Sequence, residues 1–332
     1  MYTIFAAIIN RMLLYASKSL QKRVFLFVAV SASFFFIILS PVLHSDEIAD
    51  IAVVMTRNIK PYKQSIDGLR EVVNARLSMF DMEANPEKGQ NIINSIRLND
   101  YDLILGLGST AAYTMSSNIK DIPVVFSMVA DSERYNIYGE NVTGVTLNIP
   151  LEKQFNVYKD VMPDIKRIGV LYSNNNTKIV IEKAQLLLND IGLEFVLKRI
   201  SSQKDIPNAL NEILSTVDAV LLIYDPVVTA TPRIVKEVII FNALKKRIPV
   251  IGFNKWSVTV GAVCCLFSEY VDVGQQTGEI VKQILEGSKP SSIAVEYPQK
   301  IKMLFNEKAV KRIIPKVKLN IPDDAYIWKG NQ

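Results

Sequence analysis

From residue 46 onward the chain alternates short apolar, β-branched runs with longer stretches whose apolar positions recur on one helical face. The runs "IADIAVVM" (48–55), "LSMFDM" (77–82), "DLILGLG" (102–108), "PVVFSMV" (123–129) and "NVTGVTL" (141–147) are read as strands. Residues 61–76 are read as a helix from the spacing of Ile66, Leu69, Val72, Val73 and Leu77, and residues 86–98 from Ile92, Ile93 and Ile96. Strands alternating with helices predict βα units and a parallel sheet.

The pattern then restarts. "KRIGVLYS" (166–173), "EFVLKRI" (194–200), "AVLLIYD" (219–225), "PVIGFN" (249–254) and "AVCCLFS" (262–268) alternate with helices near 177–190, 204–214 and 232–246. A long periodic helix, "EYVDVGQQTGEIVKQILEG" (269–287), precedes extended "IAVEYP" and "KMLFN" and then "EKAVKRII". Two similar α/β halves are therefore expected, with the tail crossing back between them. The third run of each half ends in turn residues before a helix, and open α/β sheets bind ligands at the carboxyl ends of their strands. A cleft between those ends is the expected site.

Composition changes this picture only at the amino end. Four of the 38 basic residues, Arg11, Lys18, Lys22 and Arg23, precede the first acid, Asp46, leaving 34 basic against 33 acidic residues in the body. That balance gives no reason to expect nucleic acid as a partner. Residues 24–43, "VFLFVAVSASFFFIILSPVL", carry no charge and follow Lys22-Arg23 directly. A helix of that length spans roughly 30 Å, the thickness of the hydrocarbon core, and exceeds the usual apolar region of a cleaved signal. Residues 1–45 are expected to be a signal peptide or signal anchor, the length favouring an anchor. The body is expected at the periplasmic or extracellular face of the cytoplasmic membrane.

The two cysteines, Cys264 and Cys265, are adjacent, so in a strand they point to opposite faces and read as two small buried hydrophobes. The only histidine is His44, so the body lacks a Ser-His or Cys-His nucleophile and any close metal-ligand set. No enzyme activity, cofactor or metal is expected.

Gly106-x-Gly108-x-x-Ala111 satisfies the relaxed dinucleotide fingerprint, and Asp131 stands where a ribose-binding acid is expected. The motif falls on the third strand, however, and adds Ser109 and Thr110. The same turn also reads as a nest of free N–H groups and hydroxyls for a carboxylate, or as a plain helix N-cap. Asp225, at the matching strand end of the second half, and Glu269, before the last long helix, are candidates for a ligand ammonium; each also has an ordinary role, in a turn or beside a helix dipole. Tyr113, Phe126, Tyr224 and Trp256 are candidate aromatic walls.

The motifs "DLILGLGSTAA", "IPVVFSMVAD", "NVTGVT", "MPDIKRIGVLYS", "LLIYDPVV", "IPVIGFNKWSVTVGAV", "EYVDVGQQTGEIVKQILEG" and "LFNEKAVKRIIP" occur in this order. Through them the chain, from about 48 to 328, resembles the ABC-transporter substrate-binding protein family typified by the tryptophan and phenylalanine binders. The resemblance implies the type I periplasmic-binding fold: two Rossmann-like lobes with parallel sheets joined by a multi-strand hinge, preceded here by an N-terminal hydrophobic helix. Residues 46–147 plus 269–297 are the expected lobe 1, and 148–268 plus 298–332 the expected lobe 2. It implies a ligand, expected to be an amino acid or a related zwitterion or carboxylate, held between the lobes by Ser109, Thr110, Asp225 and Glu269, with permease and ATPase subunits as partners; Ala111, Ser127, Tyr224 and Trp256 are further expected ligand residues, and the apolar run 24–43 is the expected membrane contact. Three positions depart from the family pattern: Pro226 after the first acid, Asp131-Ser132 after the fourth strand, and Glu269-Tyr270. A membrane-anchored module that senses a ligand for a partner protein is the alternative.

Overall fold

A computed structural model describes residues 48–130, 132, 133, 135–314 and 316–330. The segment expected to be a signal or anchor and the fingerprint acid Asp131 lie outside the described residues. Among those described, no helix is long and apolar enough to cross a membrane.

The first half folds into a five-stranded parallel sheet of order β2-β1-β3-β4-β5. The strands are β1 (Ala49–Met55), β2 (Ala75–Asp81), β3 (Leu103–Leu107), β4 (Val124–Val129) and β5 (Val142–Thr146). Helices α1 (Lys60–Arg70), α2 (Pro86–Arg97) and α3 (Ser109–Asn118) connect the first four strands. Alternation along β1 divides the core: Ile51, Val53 and Met55 pack with Ile66 and Leu69 of α1, whereas Ala52 and Val54 pack with Ile92, Ile96 and Ala112 of α2 and α3. A parallel sheet covered on both faces needs such unbroken apolar strands.

The second half forms a seven-stranded sheet of order β12-β11-β10-β9-β8-β6-β7. Its parallel part holds β6 (Arg167–Tyr172), β7 (Glu194–Arg199), β8 (Ala219–Leu221), β9 (Val250–Ile251) and β10 (Cys264–Phe267). Strand β11 (Lys302–Asn306) runs antiparallel to β10, and β12 (Tyr326–Trp328) runs parallel to β11. Helices α4 (Leu151–Val161), α5 (Asn175–Asn189), α6 (Ile206–Ile213), α7 (Phe241–Lys245) and α8 (Lys255–Thr259) belong to this half. Phe155 of α4 is fully buried, with its ring edge-on to Phe195 of β7 at 5.2 Å between centroids. Its burial contributes roughly 1.5–3 kcal/mol.

Helix α9 (Tyr270–Leu285) returns to the first lobe, where it packs on α1, β4 and β5. The chain then crosses to lobe 2 again, into β11 and α10 (Glu307–Ile313). It thus passes between the lobes at about residues 147–150, 268–269 and 297–301. The last two passages are laced together: Ser268 Oγ donates to the Lys300 carbonyl at 2.7 Å, and Lys300 Nζ reaches Asp272 at 3.1 Å.

Several elements differ in extent from their sequence pattern. The first helix ends at Arg70 rather than 76, because the chain must turn at Glu71 and Val72 to enter β2, whose Ala75 pairs with Ala49. "IAVEYP" makes only an isolated bridge, Val145 to Glu296. The helix read at 232–246 begins as a π-helix, Ile234–Ile240, before α7. Strands β8 and β9 are shorter than their apolar runs, so Tyr224, Asp225 and Phe253 lie in loops beyond the sheet.

Candidate functional site

Sheet order locates the site. In the first sheet the order reverses between β1 and β3, and in the second between β6 and β8. The crevice at such a reversal is where α/β sheets accept ligands. Strands β5 and β10 hand the chain to the other lobe from their carboxyl ends, so the crossings leave from these ends of the two sheets.

In lobe 1 the reversal brings Thr56, after β1, against the turn after β3. Thr56 N donates to the Leu107 carbonyl at 2.9 Å, and Thr56 Oγ1 accepts from Ala111 N at 3.0 Å. Gly108 has φ +85, and a Cβ there would lie 1.9 Å from the Tyr62 hydroxyl. Tyr62 is hydrogen-bonded to Thr56, and its pKa is raised because burial outweighs that bond. The space over the glycine turn is therefore filled by a threonine and a tyrosine rather than open to a pyrophosphate. A Cβ at Gly106 would meet Ala112 Cα at 2.9 Å, so this glycine serves helix–strand packing.

Helix α3 makes its first backbone bond from Ala112 N to Gly108 O. The N–H groups of Ser109 and Thr110 precede it and have no acceptor within the helix. Both residues are half-buried, and Tyr113, one turn beyond Ser109, is exposed. Arg57, directly after Thr56, is exposed as well.

In lobe 2 the equivalent reversal joins Ser173 and Asp225. The Asp225 carboxylate accepts from Ser173 N at 2.8 Å, Ser173 Oγ at 2.7 Å, Val227 N at 2.9 Å and Val228 N at 3.0 Å. Burial opposes its ionisation, but the bonds from Val228, Ser173 and Val227 outweigh it and hold its pKa below the usual carboxylate value. The residue is 3% exposed. Its charge is thus spent on the loop, in contrast to the free acid expected for a ligand ammonium.

The exposed chemistry of lobe 2 lies beside it, past β8, β9 and β10. Tyr224 stands edge-on to Phe253, with 4.6 Å between centroids, and its hydroxyl accepts from Asn254 Nδ2 at 3.3 Å. Asn254 caps α8, whose second residue is Trp256, 37% exposed. Glu269 precedes α9 as its N-cap residue and pairs with Lys255 Nζ at 2.8 Å. The Tyr270 pKa is raised by burial first and then by the charge of Glu269.

The structure thus gathers Tyr224, Trp256 and Glu269 on one set of strand ends, with Ser109 and Thr110 on the other. Three further sequence candidates are withdrawn from the surface. Ser127 is fully buried and its Oγ meets Thr277 Oγ1 of α9 at 2.8 Å, because strand parity turns it toward that helix. Ala111 is fully buried, and its N–H is capped by Thr56. Phe126 is buried in the lobe 1 core and walls no cleft. No sequence motif marks Thr56, Tyr62, Ser173 or Lys255, although the strand ends "MTR" and "YSN" occupy corresponding places in the two halves. Among the described residues, no group of three or more His, Cys, Asp or Glu is placed to hold a metal.

Comparison with known proteins bears on this geometry. A family model described as "ABC transporter substrate binding protein" matches residues 64–323. The tyrosine-binding protein of Clostridioides difficile (strain R20291) is 24% identical over 254 residues, covering 74% of this chain and 72% of the relative. A ligand-free, open structure of a substrate binding protein with adhesive properties from Clostridium difficile superposes with a TM-score of 0.74 at 20% identity, covering 86% of this chain and 100% of that one. A Streptococcus pneumonia ABC domain in complex with L-Trp gives a TM-score of 0.60 at 22% identity, covering 84% and 99%.

Proposed function

The chain belongs to the ABC transporter substrate-binding protein family, and from that premise we propose that it captures an aromatic amino acid or a related zwitterion between its lobes. One observation carries the reading: the N–H and hydroxyl groups of Ser109 and Thr110 and the aromatic and acidic groups Tyr224, Trp256 and Glu269 stand on the strand ends from which the chain crosses between lobes. The lobe 1 turn suits a carboxylate, which gains from oriented N–H donors and the positive end of a helix. The lobe 2 face suits a ring and an ammonium. The similarity to a tyrosine-binding protein supports the same ligand class.

In this reading, residues 46–147 plus 269–297 form lobe 1 and 148–268 plus 298–332 form lobe 2, and the three passages act as a hinge. Ligand contacts from both lobes favour the closed form. A permease and ATPase on the membrane then read that shape, and the body works outside the cytoplasm. Asp225 shapes the lobe 2 loop rather than touching the ligand, and Ser127 anchors α9.

The test is a thermal-shift and calorimetric screen of the full chain against L-tyrosine, L-tryptophan, L-phenylalanine and the other amino acids. Ligand at a hundredfold excess over its Kd stabilises a folded protein by about 2.7 kcal/mol. Binding of an aromatic member that is weakened at least tenfold by Tyr224→Ala supports the proposal. A panel without a single binder overturns it.

A further inference from the structure

Glu269 is the acid that the capture reading offers to a ligand ammonium, and it already holds a cation. Lys255 Nζ lies 2.8 Å from Glu269 Oε2, 4.6 Å from the centroid of the Phe267 ring and 5.4 Å from that of Tyr270. A carboxylate with two aromatic faces around one ammonium is the chemistry by which proteins bind primary amines. Both ion-pair side chains are about one-third exposed, 37% for Lys255 and 34% for Glu269, so the pair is open to solvent at the strand ends rather than buried in the core. It is also local. Lys255 opens α8 after β9, and Glu269 precedes α9 after β10, so neighbouring strand ends present the two charges.

Resting on the capture reading, we propose that Lys255 is a built-in occupant of the amine subsite, and that a ligand ammonium competes with it for Glu269. One carboxylate can take two ammonium groups, one on each oxygen, as Asp272 does with Lys300 and Lys302, but the two cations repel, so a ligand ammonium at Glu269 weakens the hold on Lys255. The lysine is tethered by a flexible four-carbon stem, so it leaves the pair by rotating into solvent. Its departure costs the pair and the ring contacts, and that cost is subtracted from the affinity of every amine ligand. A carboxylate without an ammonium leaves the lysine in place and does not meet this cost. Lys255 therefore sets how strongly the site distinguishes amino acids from their deaminated analogues.

The test is isothermal titration of the full-length wild type, Lys255→Met, Lys255→Gln and Glu269→Gln with L-tryptophan and with indole-3-propionate, its deaminated analogue. The expected result is L-tryptophan binding about tenfold tighter to both Lys255 variants than to wild type, the combined scale of an ion pair at the surface and a cation–π contact. Indole-3-propionate affinity stays within about twofold, and the double variant Lys255→Met, Glu269→Gln loses the gain for L-tryptophan. Unchanged or weaker L-tryptophan binding to both Lys255 variants, with wild type still binding, overturns the role of Lys255 and leaves the capture reading standing. Absence of binding in wild type and in every variant, for L-tryptophan, L-tyrosine and L-phenylalanine alike, overturns the capture reading and this proposal with it.

Discussion

Gly274 of α9 lies against the backbone of Ser65 in α1 so closely that a Cβ on the glycine would fall 1.9 Å from the Ser65 carbonyl oxygen. Gly68 makes the reciprocal approach, its missing Cβ falling 2.1 Å from the Val271 carbonyl. Two helices far apart in sequence are thus in backbone contact, and this seam joins the late helix to the first lobe.

Gly274→Ala is expected to lower stability by about 1–3 kcal/mol, because the obstacle is a helix backbone that cannot rotate away. Alanine otherwise favours helices, so a propensity argument predicts the opposite sign. Urea unfolding of the two proteins decides between them.

Thr56→Val keeps shape but removes the oxygen that accepts from Ala111 N and pairs with Tyr62. A lost cap costs about 1 kcal/mol. Because Thr56 fixes the turn bearing Ser109 and Thr110, amino-acid affinity should also fall, and calorimetry beside a thermal melt reads both effects.

Asp225→Asn is expected to destabilise the protein by about 2–3 kcal/mol at neutral pH, since a neutral amide replaces a carboxylate accepting from three N–H groups and a hydroxyl. The folded pKa is depressed, so the contribution of the charge is complete above the unfolded value of about 3.9 and is lost as pH falls through the lower folded value. Melts of wild type and variant should therefore converge below about pH 4. A gap constant from pH 7 to 3 would contradict the role of the charge.

The two cysteines should resist thiol reagents in the native protein. Both are free and fully buried, and burial pushes the Cys265 thiol up to about 12 and that of Cys264 higher. The reactive thiolate is scarce at such values. An aromatic disulfide reagent should release colour only after denaturant is added, with both thiols appearing together.

The α/β architecture was legible because each strand run and each helix face carries its own periodicity, and β1 divides its residues between two cores as period-2 alternation demands. Cys264 and Cys265 likewise enter different cores, in line with their opposite parity. The site was legible only in outline. Strand order, which periodicity does not encode, makes Thr56 and Ser173 neighbours of the turns after β3 and β8. A hydroxyl residue at a strand end carries no mark of that role. An acid at a strand end also does not reveal whether its lone pairs are free, and at Asp225 four donors from its own lobe take them. For Ser127 strand parity selects the α9 face, whereas Phe126 beside it enters the core under α2 and α3, and neither faces the crevice.

Helix α9 also dictates an order of assembly. Val273, Ile280, Val281 and Ile284 complete the same core as Ile51, Val53, Leu103 and Leu105. A nascent chain stopped at residue 268 holds all five strands of the first sheet, with α1 covering part of one face, yet leaves the rest of that face, beside β4 and β5, uncovered. During synthesis the earlier-made lobe must therefore wait, one apolar face only partly covered, until the strands of the other lobe have been made. Such contacts between distant segments slow folding and prolong the exposure of sticky surface. The interval in which a chaperone or export factor has most to hold is the stretch between β5 and α9.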